Sequence, residues 1–245
     1  MADSDKRGSA AGVLAYSTLF VGTSQFVPLP FVDAILERRV RKSMVQTLLK
    51  RHARSYGVGE LGLLYGSGRG CVMGCLVALV SFPIKLIVEP IKKLFKTVFF
   101  VLTIRDAGLV MGDCFLLGRT LDRLLARGEL GDELAAKQRH ARVRQVRAAF
   151  DETYAGSDLS LLRHLFEQTL RGAKALPAAG AKAARALMKG DSPSEPAQIG
   201  ELDASERAVV DEGEAQLEQA LADEKVQGFL ADFDQRFDAA LAKLG

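Results

Sequence analysis

Side chains able to do covalent or metal chemistry are few and scattered in this sequence. The three histidines, His52, His140 and His164, lie far apart and each sits beside basic residues. Neither they nor the cysteines, Cys71, Cys75 and Cys114, have the spacing of a metal centre. Cys71 and Cys75 are four residues apart, whereas a redox pair has two intervening residues. An odd number of cysteines in apolar surroundings reads as small buried hydrophobes. Without a disulfide framework, the chain fits a reducing, cytoplasmic setting. The run GSGRG at residues 66–70 lacks the lysine followed by serine or threonine of a phosphate-cradling loop. No nucleophile elbow and no His-Glu-x-x-His occurs. Acids are plentiful after residue 190, but on helix faces turned to solvent, where nothing tunes them for proton transfer. The expectation is a non-enzymatic protein with no catalytic residues, no cofactor and no metal.

Charge and close packing remain as the chemistry on offer. Glycine recurs every fourth residue at Gly62, Gly66, Gly70 and Gly74, with Ala78 next in register. Residues four apart share a helix face, so this glycine zipper would let a second helix approach closely, as small residues do between membrane helices. Residues 70–88 then run for 19 positions with Lys85 near one end. That is about the ~20 residues that cross a hydrocarbon core. Pro83 would kink such a helix, and Lys85 would snorkel to the interface. Lys92, Lys93 and Lys96 follow, a cluster of the kind left on the cytoplasmic side. The competing reading makes residues 62–117 the buried centre of a helical bundle. The shorter apolar run at 98–104 stops at Arg105 and Asp106, which suits a core, interfacial or re-entrant segment better than a second span.

The flanking elements read as helices. Residues 11–22 are apolar behind Lys6 and Arg7, like the start of a signal peptide, but no small-x-small cleavage site follows. An apolar helix packed on the central stretch is the better reading. VPLP at 27–30 breaks the chain. Residues 32–56 then carry an apolar stripe of Ile35, Leu36, Val40, Met44, Val45, Leu48 and Leu49, opposed by a basic face. From that face Arg38, Arg41 and Lys42 join Lys85, Lys92, Lys93 and Lys96 as candidate contacts for anionic lipid.

The sequence VPLPFVDAILERRVRKSMVQTLLKRHARSYG, followed by a glycine-rich apolar region, resembles the EcsC-type bacterial membrane-associated domains. It is also similar to the related domain of unknown function attached to some bacterial GTPases. Pro28, Pro30, Asp33, Tyr56 and Gly57 carry the likeness, which spans residues 25–90. No GTPase motif accompanies it. The resemblance implies membrane association without catalysis.

Further on, leucines recur over 116–126, and residues 127–131 form a turn. Asp132 caps a basic helix to about residue 154, whose cations lack the interleaved aromatics that stack single-stranded nucleic acid. Another helix starts near Asp158. Residues 190–200, GDSPSEPAQIG, form a linker. Beyond it Val226, Phe229, Leu230, Phe233, Phe237, Ala240, Leu241 and Leu244 make an apolar helical stripe. The net charge is only +3, but residues 191–245 hold 14 acids against 4 bases, net −10, and residues 1–190 hold 16 against 29, net +13. An acidic arm can therefore fold back over a basic body, or complete its core.

The chain is thus expected to be all-α: a basic and apolar helical domain at 1–189, a linker, and an acidic amphipathic arm at 201–245. The expected function is a bacterial membrane-associated scaffold or adaptor on the cytoplasmic side of the inner membrane. Its partners would be anionic lipids, with a protein partner or self-association besides, and not nucleic acid. The alternative is a cytoplasmic helical interaction module whose apolar stretch is its core.

Overall fold

A computed structural model of the chain describes residues 10–26, 32–66, 92–172 and 204–245. Among these residues the fold is all-α, with eight α-helices and no strand. They are α1 (Ala10–Ser24), α2 (Val32–Arg51), α3 (Gly62–Tyr65), α4 (Lys92–Ala126), α5 (Ala136–Ala155), α6 (Ser160–Gly172), α7 (Ala204–Leu221) and α8 (Glu224–Leu244), with a 3-10 turn at Val58–Leu61 before α3.

α1 is buried on nearly every side, as a helix apolar all round must be. Its hydroxyls at Thr23 and Ser24 donate back to the carbonyls of Phe20 and Val21, which lets them sit in a dry core. α2, α4 and α7 surround it. The packing expected of residues 11–22 is therefore found, with α4 as the main partner. A Cβ at Gly22 would overlap Met111, and one at Gly118 would overlap Leu14. α1 and α4 thus run antiparallel with small residues at both ends of their contact.

α4 is 35 residues long and joins what the sequence divides. Arg105 and Asp106, which break the apolar run, are both exposed, while Ile104, Ala107 and Met111 on the other side are buried. The two charges sit on the solvent face of a continuous helix. α6 covers α4 at Phe115, whose ring meets Phe166 edge-on at 6.1 Å between centroids. α4 ends at a glycine-built cap. The Glu129 N–H donates to Leu124 O and the Gly128 N–H to Leu125 O, with Gly128 at φ 75°.

α5 begins at Ala136 with Ala135 as its N-cap, three residues later than the expected cap at Asp132. The Gln138 side chain accepts from the Ala135 N–H, and Asp132 is engaged elsewhere. α8 lies antiparallel along α5. Phe150 meets Phe233 edge-on at 6.0 Å, and Gln145 donates to Leu244 O. Val226, Leu230, Phe233, Phe237, Ala240 and Leu241 are buried in the same core as the earlier helices. No helix among the described residues is long and apolar enough to cross a membrane. The candidate span at 70–88 and the linker at 190–200 lie outside those residues.

Candidate interaction surface

Of the cations expected to meet lipid, the structure places Arg38 and Lys42 together. At about 100° per residue, Ile35, Arg38 and Lys42 fall within an arc of about 60° on α2. Ile35 is 51% exposed, although its sequence pattern assigns it to the buried stripe. The stripe that is buried consists of Leu36, Val40, Met44, Val45, Leu48 and Leu49. Arg38 is exposed and Lys42 half-buried, and neither has an acidic partner among the described residues. α2 thus presents an exposed apolar side chain beside two unneutralised cations. Lys92, Lys93 and Lys96 occupy the first two turns of α4. Lys85 lies outside the described residues.

Arg41 corrects the reading of the basic face. It is 2% exposed, wedged between α2 and α4 with Asp113 at 2.5 Å and Glu37 at 2.7 Å. Burial disfavours its charge, but Asp113, Cys114 and Glu37 outweigh that and hold its pKa above the ordinary value. A guanidinium this enclosed does not reach a headgroup; it fastens α2 to α4. Cys114 beside it is the small buried hydrophobe expected, its thiol pushed up to about 12 chiefly by burial. Cys71 and Cys75 lie outside the described residues.

The glycine face is also placed differently. Gly62 opens α3 and Gly66 closes it in an extended conformation, so the two do not continue along one helix. A Cβ at Gly62 would meet nothing closer than the Tyr65 hydroxyl at 3.8 Å. Gly70, Gly74 and Ala78 lie outside the described residues. Close helix approach occurs instead on α4. Gly108 comes within 3.2 Å of the Arg163 carbonyl, measured from an added Cβ, and Gly112, four residues on, faces Phe166. The small-xxx-small geometry belongs to the α4–α6 contact.

A polar strap at residues 52–60 carries more hydrogen-bonding chemistry than any nominated residue. His52 Nε2 lies 2.8 Å from Asp122 Oδ1, and the Arg54 guanidinium donates to Leu125 O. The Ser55 N–H and hydroxyl both donate to Asp132, holding that carboxyl below its usual range. Tyr56 donates to Leu130 O at 2.7 Å, and the Arg139 guanidinium stacks 3.7 Å above its ring while pairing with Glu60. Burial pushes the Tyr56 phenol up to about 12. These groups satisfy one another across the end of α2 and the α4–α5 turn, so their chemistry is to position. Tyr56 and Gly57 were singled out by resemblance; the partners of Tyr56, Leu130 and Arg139, lie 74 and 83 residues downstream and carry no local signal.

The basic side of α4 meets the acidic arm directly. Arg119 pairs with Asp234, Arg123 with Asp234 and Asp238, and Arg127 with Asp238. None of these arginines is among the expected lipid contacts. Among the described residues, no three His, Cys, Asp or Glu side chains form a group that could hold a metal ion. Comparison with family models, characterised proteins and solved structures returns no match for this chain.

Proposed function

We propose that the chain is a non-enzymatic helical scaffold or adaptor that works at an anionic membrane surface, of the bacterial membrane-associated type its residues 25–90 resemble. The observation that carries the reading is the outer face of α2, where half-exposed Ile35 stands beside unpaired Arg38 and Lys42. An amphipathic helix uses such a face at the headgroup level, inserting the apolar side chain and leaving cations to the phosphates. Two sequence features support it: the apolar run at 70–88, and the lysines at 92, 93 and 96 that begin α4. Each cation near an anionic leaflet contributes roughly 1 kcal/mol, so the face strengthens an attachment that the apolar run makes firm.

The test is cosedimentation of the full chain with vesicles containing phosphatidylserine, against neutral phosphatidylcholine vesicles. Binding is expected to prefer the anionic vesicles and to weaken as salt rises. Arg38→Glu with Lys42→Glu should weaken it by tenfold or more, from about 1 kcal/mol lost at each site plus repulsion. Equal binding to both vesicle types, or binding unchanged by the double reversal, sinks the reading.

A further inference from the structure

α5 turns one whole side to solvent. Its buried residues, among them Val143, Val146 and Phe150, lie on the side that packs into the core. At about 100° per residue, Lys137, Ala141, Arg144, Ala148 and Ala155 fall within an arc of about 60° on the opposite side, and all five are exposed. Asp151 and Glu152 lie about 20° beyond its two edges, one at each.

Charge on this side runs from basic to acidic along the helix. Lys137, His140 and Arg144 stand in the first half, exposed and with no acidic partner among the described residues. Asp151 and Glu152 stand near the C-terminal end. Both acids have partners that leave them open to solvent. Arg147 takes both oxygens of Asp151, yet the Asp151 side chain is 41% exposed. Lys243 comes only to 4.0 Å from Glu152, which is 61% exposed. A carboxylate offers about four lone-pair sites, so Asp151 has room for a second guanidinium.

We propose that two copies of the chain pair through α5, antiparallel about a two-fold axis. Only the antiparallel arrangement sets the basic half of each helix against the acidic half of the other; a parallel one sets like on like. A two-fold contact repeats each pair, so Arg144 of one copy meets Asp151 of the other and the reverse. Such an axis keeps a residue on its own side of the contact, and Arg144 and Asp151 lie on the same side of the line through Ala141, Ala148 and Ala155. The axis then passes between Arg147 and Ala148. Ala148 faces its own copy there, and its small side chain admits an ordinary helix spacing of about 8–10 Å. Exposed ion pairs are individually weak and screened by salt, so the dimer is reversible. The contact uses none of the residues placed at the membrane, and its test contains no lipid.

Two measurements on the full chain test the arrangement. In sedimentation equilibrium the mean mass is expected to approach the dimer's at low salt and to fall toward the monomer's as salt rises. Arg144→Glu should weaken the dimer by about tenfold, since it reverses two equivalent pairs. Disulfide trapping under mild oxidation reads the register, with the parent chain as control. Ala148→Cys should cross-link two copies, because the paired residues fall within the ~7 Å that a disulfide bridges. Ala141→Cys should not, because at 1.5 Å per residue its two copies stand about 20 Å apart along the axis. Circular dichroism checks that each variant keeps the helical fold. A monomer at low salt overturns the proposal. So does a dimer indifferent to Arg144→Glu, or one in which Ala141→Cys cross-links as readily as Ala148→Cys.

Discussion

Ala53 holds a backbone position that suits glycine better. It lies just past α2 at φ 51°, and its neighbours bond like those of Gly128: the Arg54 N–H donates to Leu49 O and the Ala53 N–H to Lys50 O. Both helices close with a left-handed cap residue, but only α4 closes with the residue that adopts it freely. The left-handed conformation costs an L-residue about 1–2 kcal/mol. Glycine also gains unfolded-state entropy, which offsets about 0.4–1 kcal/mol of any relief. Ala53→Gly is therefore expected to stabilise the protein by about 0.5–1 kcal/mol, seen as a raised midpoint in thermal denaturation. A lowered midpoint would show the strap at 52–60 needs the alanine for another reason. Residue-level features of this kind are poorly legible in a sequence. Alanine favours helix, so nothing in HARSY marks the end of α2 at Arg51, and the pattern extends the helix to Tyr56. Arg41 is hidden for a related reason. Among the basic residues of α2 it alone is turned onto Asp113, a carboxylate 72 positions away.

At the scale of elements, helical periodicity locates α2, α5, α6 and α8 because each buries one face and leaves the other wet. α4 resists the same reading, since a local hydropathy window takes Arg105 and Asp106 as breaks when they are the exposed side of a long helix. Glycines mislead most. Their spacing identifies a possible face, but only the tertiary neighbour decides whether a backbone comes close. Gly62 is helical and an added Cβ would make only an ordinary contact with the Tyr65 hydroxyl, so Gly62→Ala is expected to be neutral or stabilising by up to about 1 kcal/mol. Gly118 is closed in: an added Cβ would sit 2.7 Å from Met44 Sδ and overlap Leu14. Gly118→Ala is expected to destabilise by about 1–3 kcal/mol, the usual cost of overpacking. Urea denaturation of the two alanine variants compares them directly, and equal shifts would contradict the assignment of close packing to α4.

At the scale of the whole molecule, the charge split poses a choice between an acidic arm held by electrostatics and one that completes the core. Magnitudes decide it. The arginine–aspartate pairs between α4 and α8 are partly exposed, and such pairs contribute about 0–1 kcal/mol each. α8 also buries Val226, Leu230, Phe233, Phe237 and Leu241, with Phe237 wholly inaccessible. Each large apolar side chain contributes about 1.5–3 kcal/mol when buried, so the stripe is comparable to the 5–15 kcal/mol stability of an entire domain. The pairs set the register of α8, and the apolar stripe holds it. High salt should therefore leave α8 docked. Asp238→Asn, at an exposed pair, is expected to cost under about 1 kcal/mol, whereas Phe233→Ala, which strips a ring packed against Phe150, is expected to cost about 3–5 kcal/mol. Truncation before Asp223 removes the whole stripe and should abolish the cooperative thermal transition. Differential scanning calorimetry of the truncated chain and both point variants, at low salt and at about 0.5 M salt, where the Debye length is roughly half its physiological value, separates the two accounts. A truncated chain that still melts cooperatively, or an Asp238→Asn loss equal to that of Phe233→Ala, would return the arm to an electrostatic role.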